Sequence, residues 1–208
     1  MSEIALQKPP SNRERLLDLA EKLVLQKGFA ATSIEELFAG VGITKSGFFY
    51  HFKDKSDLAR ALMQRYLEDN ERLLNEIFAR AAELHDDPLH SFLIGLKLFA
   101  EMMAKVRDVH PGCIAAAVTY QDQLFDQEVR ALNTEGALAW RKRFRSHLDR
   151  IVERYPPKIE VDLDSLADMM SALADGGIIL SKTLKDGKSL PAQIMHYRNY
   201  IRLLFEPA

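Results

Sequence analysis

Along most of the chain, apolar residues recur three and four positions apart, the spacing that puts one oily face on a helix. Leu16, Leu17, Ala20, Leu23 and Val24 make one such stripe. Leu58, Leu62, Tyr66, Leu73, Leu74, Ile77, Phe78 and Ala81 make a longer one, and Leu132, Trp140, Phe144, Leu148, Ile151 and Val152 a third. No segment sustains alternation at period two with β-branched residues and hairpin turns. The eight prolines (Pro9, Pro10, Pro88, Pro111, Pro156, Pro157, Pro191 and Pro207) all fall where the periodicity lapses, and proline interrupts helices. The pattern predicts an all-α protein.

Helix length divides the chain. From Arg13 to Phe52 the predicted helices are short and separated by tight turns at Gly28 and Gly42; from Ser56 onward they lengthen, with one running to about Leu84. The last two are expected over Asp164 to Leu184 and Pro191 to Phe205, with Tyr155-Pro156-Pro157-Lys158 as a loop. The division expected is a flexible tail over 1–11, a small helical domain over 12–55 and a larger one over 56–208.

The small domain carries the sharpest local signals. Ser33-Ile34-Glu35-Glu36 reads as a capping box that starts a helix burying Ile34, Leu37, Phe38 and Val41. Gly42 ends it, and Thr44 caps a second short helix from Lys45 to about Phe52. Two short helices joined by such a turn form a helix-turn-helix, whose second helix enters the DNA major groove. On a helical wheel, Phe48 and Phe52 define the buried side of that second helix. Ser46, Gly47 and Tyr50 point away from it, with Phe49 and His51 on the flanks.

Composition narrows the rest. The chain has 208 residues, with 28 Lys plus Arg against 30 Asp plus Glu, and so a net charge of −2. Binding to nucleic acid therefore requires a local positive patch. Gly42 to Ser56 supplies one, with Lys45, Lys53 and Lys55 against the single acid Asp54. At 47% apolar and 28% charged residues the chain reads as a globular protein, and no apolar run approaches the roughly 20 residues of a membrane span. Met1-Ser2-Glu3-Ile4 does not begin a secretory signal. Cys113, the only cysteine, excludes an intrachain disulfide and a cysteine-built zinc site and points to a reducing cytoplasm.

The run Gly28-Phe29, Thr32-Ser33-Ile34, then Gly42-Ile43-Thr44-Lys45-Ser46-Gly47-Phe48-Phe49-Tyr50-His51-Phe52-Lys53-Asp54-Lys55 and Leu58 closely resembles the DNA-binding domain of the TetR family of transcriptional regulators. The match covers about the first quarter of the chain; the remainder is similar in length and helical character. The resemblance implies that Lys45, Ser46, Gly47 and His51 face base edges or nearby phosphates. It also implies that Thr32, Ser33 and Thr44 offer hydroxyls or amides to phosphates, and that Lys55 clamps another. Phe49 stands where many members have a phosphate-contacting Tyr, a role that Tyr50 can take over. Gly47 has no side chain to read a base, which shifts recognition toward Lys45, Tyr50 and DNA shape.

The same resemblance implies a homodimer through the two C-terminal helices, on a near-palindromic operator. Ala172, Ala174, Gly176, Gly177, Ile178, Ile179 and Leu180 on one helix, and Ile194, Tyr197, Tyr200, Ile201 and Leu204 on the other, are the expected contacts. It further implies a small-molecule effector among the middle helices, with Phe99, Met102, Met103, Tyr120, Trp140, Phe144, His147 and Met169 as candidate lining alongside Leu93 and Leu96. Trp140 and His147 would form an apolar wall and a polar handle, unless His147 is a satisfied structural histidine. Cys113 is either a small buried hydrophobe or a thiol activated at a helix start. Arg141-Lys142-Arg143 with Arg145 reads as a solvated face paired with acids, and His85 to His90 as a polar loop. No nucleophile elbow, phosphate loop, dinucleotide fingerprint or His-Glu-x-x-His motif is present, and no cofactor or metal is expected. The expected function is a ligand-responsive transcriptional repressor, not an enzyme. The rival reading is a helical enzyme or small-ligand carrier that binds no DNA.

Overall fold

The structure, a computed structural model, describes residues 9–106 and 109–207, so most of the expected tail lies outside the described residues. Among them are nine α-helices, one 3₁₀ turn and no strand. In chain order the helices are α1 (Asn12–Lys27), α2 (Ile34–Val41), α3 (Lys45–His51), α4 (Lys55–Leu84), α5 (Pro88–Ala104), α6 (Ile114–Thr119), α7 (Gln127–Val152), α8 (Leu163–Leu184) and α9 (Ser189–Phe205). The 3₁₀ turn is Asp122–Leu124.

Seven of the helices begin on a short polar side chain that accepts a backbone N–H of the first turn: Ser11, Ser33, Thr44, Asp54, Asp87, Asp126 and Asp162. Each such cap is worth about 1 kcal/mol, and the aspartates also face the positive end of the helix dipole. The complete capping box lies at Ser11, whose N–H donates to Glu14 at 2.6 Å while Glu14 N–H donates back to the hydroxyl. At Ser33 only half of the expected box forms, because Glu36 is drawn away into an ion pair with Lys27.

Two hydrophobic cores organise the helices. One gathers α1, α2, α3 and the front of α4 around Leu16, Leu37, Phe48 and Phe52, and continues into Ile114, Val118, Phe125 and Val129. The other gathers the rear of α4 with α5, α8, α9 and the rear of α7 around Phe78, Phe92, Phe144 and Tyr197. The packing thus does not follow a division at residue 55: α4 serves both cores, and α6 belongs with the first.

Ties between helices are specific. Arg65 on α4 reaches Asp18 and Glu21 on α1, each at 2.6 Å, and Arg15 donates to the Val41 carbonyl at 2.7 Å. Gly177 lets α8 press onto α9, since a Cβ there would stand 2.9 Å from the Leu190 Cα. Gly176, its neighbour, faces open space. The expected dimer residues therefore split. Ile194, Tyr197, Ile201 and Leu204 are buried in the chain's own core. The outward strip is instead Ala172, Gly176, Ile179 and Leu180 on α8 with Leu203 on α9.

Asp87 organises the α4–α5 corner. It caps α5, accepts from the Tyr155 hydroxyl at 2.7 Å and pairs with Arg154 at 2.9 Å, while His85 stacks on His90. Arg141 meets Asp168 through two bonds of 2.8 and 2.6 Å, and Arg145 meets Asp149 and Asp164, so two of the four cations in the basic run of α7 are paired with acids.

Candidate nucleic-acid interface and effector cavity

The turn between α2 and α3 is set by backbone geometry. Gly42 sits at φ 75°, which glycine adopts without strain, and the Gly42 and Ile43 amides close onto the Ala39 and Phe38 carbonyls. Thr44 then starts α3, its hydroxyl accepting Gly47 N–H at 3.1 Å and lying 2.9 Å from the Ser46 hydroxyl. α3 is only seven residues long, so its direction is set by what it buries. Phe48 and Phe52 are 0% and 2% exposed, and their rings pack 5.8 Å apart. On the opposite side Tyr50 is 85% exposed and Phe49 42%, with Lys45 and Ser46 in solvent beside them. A Cβ at Gly47 would meet Thr44 Oγ1 at 3.4 Å, an ordinary contact, so nothing inside the chain requires glycine there.

The flanking residues are less uniform. Ser33 is exposed at the start of α2 and Lys53 is exposed beyond α3. His51 is half-buried, its ring edge-on to Tyr50 at 5.0 Å. Thr32 is 1% exposed and its hydroxyl donates to the Gly28 carbonyl at 2.9 Å, so that hydroxyl is not open to a phosphate as expected. Lys55 folds back, its Nζ 4.8 Å from the centre of the Phe29 ring and 3.4 Å from the Ala30 carbonyl. Burial there, with Lys27 nearby, lowers its pKa.

The loop after α1 is held from the far side. The Gln121 side-chain oxygen Oε1 accepts the Phe29 and Ala30 amides at 3.0 and 3.3 Å, and Phe29 packs on Phe125 at 4.8 Å. Lys182 of α8 donates to the carbonyls of Leu25 at 3.2 Å and Pro111 at 2.8 Å.

Beside α6, between the two cores, lies a cavity of about 680 Å³. Phe99, Met103, Tyr120 and Trp140 line it, as expected. Met102, Phe144, His147 and Met169 do not, nor do Leu93 and Leu96. Phe144 is sealed in the second core, where Leu93 and Leu96 also sit and against which Met102 and Met169 pack. His147 stacks on Phe92 at 5.0 Å and lies 4.4 Å from Phe78. Burial, aided by Arg150 and Arg143, pushes its pKa down to about 4, so it stays neutral and structural.

Several polar groups of the cavity come from positions that periodicity did not single out for it, among them Tyr66 and Asn70 on α4, Asn133 on α7 and Asp175 on α8. A signal for the last existed. Ser171, Ala174, Asp175 and Ile178 repeat at helical spacing, and an acid inside an otherwise small or apolar stripe is unusual. Cys113 caps α6 and lies 3.1 Å from the Tyr66 hydroxyl. Burial raises its pKa and Asp175 adds to that, outweighing any lowering by the helix start, so the thiol stays protonated. Among the described residues no group of three or more His, Cys, Asp or Glu could hold a metal, and no helix is long and apolar enough to cross a membrane.

Residues 16–62 match the family model described as bacterial regulatory proteins, tetR family. The chain is 27% identical over 169 residues to the HTH-type transcriptional regulator TtgR of Pseudomonas putida, a match covering 79% of this chain and 77% of that one. It is 32% identical over 93 residues to the HTH-type transcriptional repressor BepR of Brucella suis, covering 42% and 43%. In fold it is similar to a TetR-family transcriptional regulator from Agrobacterium tumefaciens, with a TM-score of 0.76 at 19% identity over 95% of this chain and all of that one.

Proposed function

The chain belongs to the TetR family of helix-turn-helix transcriptional regulators, and from that premise we propose that it works as a homodimeric repressor, released from a palindromic operator by a small organic effector. One observation carries this reading: α3 and its cap hide Phe48 and Phe52 and present Lys45, Ser46 and Tyr50 to solvent, with Gly47 half-buried beside them. The 12–55 unit is then the DNA reader. Lys45 and Tyr50 reach base edges or phosphates, the bare backbone at Gly47 admits the groove wall closely, and Ser33, Thr44, Phe49, His51 and Lys53 border the contact. Lys55 contributes positive field rather than a direct clamp. Thr32 stays in the set only as a support for the loop.

A single short helix in one groove binds weakly; two, about 34–36 Å apart, bind well. The outward strip of α8 and α9, apolar and without a partner among the described residues, supports a twofold contact there. Effector control follows from α6, which forms one wall of the cavity while Gln121 just beyond it holds Phe29 and Ala30. An occupant that moves α6 moves the loop that carries α2.

Anisotropy titration of the DNA flanking the protein's own gene, at two salt concentrations, tests the proposal. Binding should weaken steeply with salt, because each cation–phosphate contact releases counterions. Lys45→Ala should cost roughly tenfold in affinity and lower the salt slope by about one, with helix content unchanged. Absence of salt-dependent binding would return the chain to the ligand-carrier reading.

A further inference from the structure

On the reading that the cavity is the effector site, we propose that its ligand is an amphipathic organic cation, with a flat apolar body against Trp140 and Phe99 and its positive centre on the Asp175 carboxylate. The cavity is walled mainly by apolar side chains, and at about 680 Å³ it lies within the usual range for one drug-sized molecule. Within that wall, Asp175 is a carboxylate that no Lys, Arg or His among the described residues pairs with. Its polar neighbours are the Cys113 thiol, the Tyr66 hydroxyl beyond it and the His110 imidazole; burial raises the Asp175 pKa, and the Cys113 hydrogen bond and His110 only partly offset that. A half-buried carboxylate without a counter-charge is costly, and an incoming cation relieves that cost where a neutral ligand cannot.

The other charges in the wall point the same way. Arg130 and Asp122, one of each sign, line the cavity at exposed positions. Burial first and Lys182 second lower the His110 pKa, against the smaller opposite pull of Asp175. Lys182, the next cation along α8, is spent on the Leu25 and Pro111 carbonyls. Among the described residues no inner Lys or Arg is left to receive an anion, and an anion would meet Asp175 in a medium of low dielectric. Trp140, Tyr66 and Tyr120 add ring faces that attract cations and flat rings alike.

Rhodamine 6G and fluorescein share a planar xanthene core and differ in charge, one cationic and one anionic. Full-length protein without DNA, at pH 8, should bind rhodamine 6G with quenching of Trp140, the only tryptophan, and should bind fluorescein at least tenfold more weakly. Asp175→Asn should weaken rhodamine 6G at least tenfold; Asp175→Glu, which keeps the charge, and Asp122→Asn, in the outer wall, should each change it less than threefold. The proposal is overturned by equal binding of the two dyes, by no binding of rhodamine 6G, by binding that leaves Trp140 unquenched, or by a well-folded Asp175→Asn that binds as before. Operator binding measured on the same preparation separates the claims. Intact DNA binding without dye binding removes the cation and leaves the regulator, and the converse removes the regulator alone.

Discussion

The core beneath α3 draws most of its residues from Leu16 to Met63, one nearly continuous stretch, with a smaller share from Ile114 to Val129. The second core is collected from Leu74 to Phe205, and the cavity beside it takes its wall from six helices. Both regions use the same aliphatic and aromatic residues. They differ in how far along the chain each contact must reach. In the first, caps and a glycine turn place α2 and α3 before any distant segment is needed. In the second, no cap or turn says which face of α4, α7 or α8 meets which.

The sharpest break in this comparison is Phe48→Ala. It empties a fully buried site under α3 and should cost about 3–5 kcal/mol, abolishing operator binding. Denaturant unfolding followed by tryptophan fluorescence reads the second region separately, since Trp140 packs against that core. If the regions are as distinct as their packing suggests, the Trp140 transition moves less than the helical signal.

Asp87→Ala strikes the second region at the α4–α5 corner, removing the α5 cap and the Tyr155 and Arg154 contacts together, for a loss of roughly 2–3 kcal/mol in melting experiments. Burial alone would raise the Asp87 pKa, but hydrogen bonds from His90 and Tyr155 and the Arg154 guanidinium outweigh it and hold it well below the usual carboxylate range. Its contribution is therefore complete at neutral pH and disappears only below the ordinary carboxylate range.

His147 acts in a separate window. It is neutral in the folded protein with a pKa near 4, while the unfolded chain takes up a proton below about 6.5. Stability should fall by about 2 kcal/mol between pH 7 and pH 5, and His147→Leu should flatten that slope. An unchanged slope would place the titration elsewhere.

Smallest in stability is Gln121→Ala, at about 1 kcal/mol or less, because the two amides it frees lie near solvent. Its value lies in location. Hydrogen exchange at Phe29 and Ala30 should quicken while α1 is unaffected, marking the joint on which the proposed effector control depends.

Much of the DNA-facing half could be read from residues alone. Ser33, Gly42 and Thr44 announce the turn, and the spacing of Phe48 and Phe52 tells which side of α3 is hidden. The readings that failed there concern side chains recruited by neighbours distant in sequence or across a turn: Glu36 by Lys27, the Thr32 hydroxyl by the Gly28 carbonyl, and Lys55 by the Phe29 ring. In the cavity, Trp140 and Phe99 were found through the general preference of large rings for interiors. Phe144 and His147 share a helix with Trp140 but point into the packed core instead, a distinction that turns on the placement of α5.

By itself, then, the amino-acid order determined the helices, where they stop, and the oily back of the recognition helix, because caps, turns and periodicity act over a few residues. Only the tertiary structure decided which apolar faces became core, cavity or outward strip. Those choices depend on helices brought together from opposite ends of the chain, and a stripe of leucines carries no label for its partner.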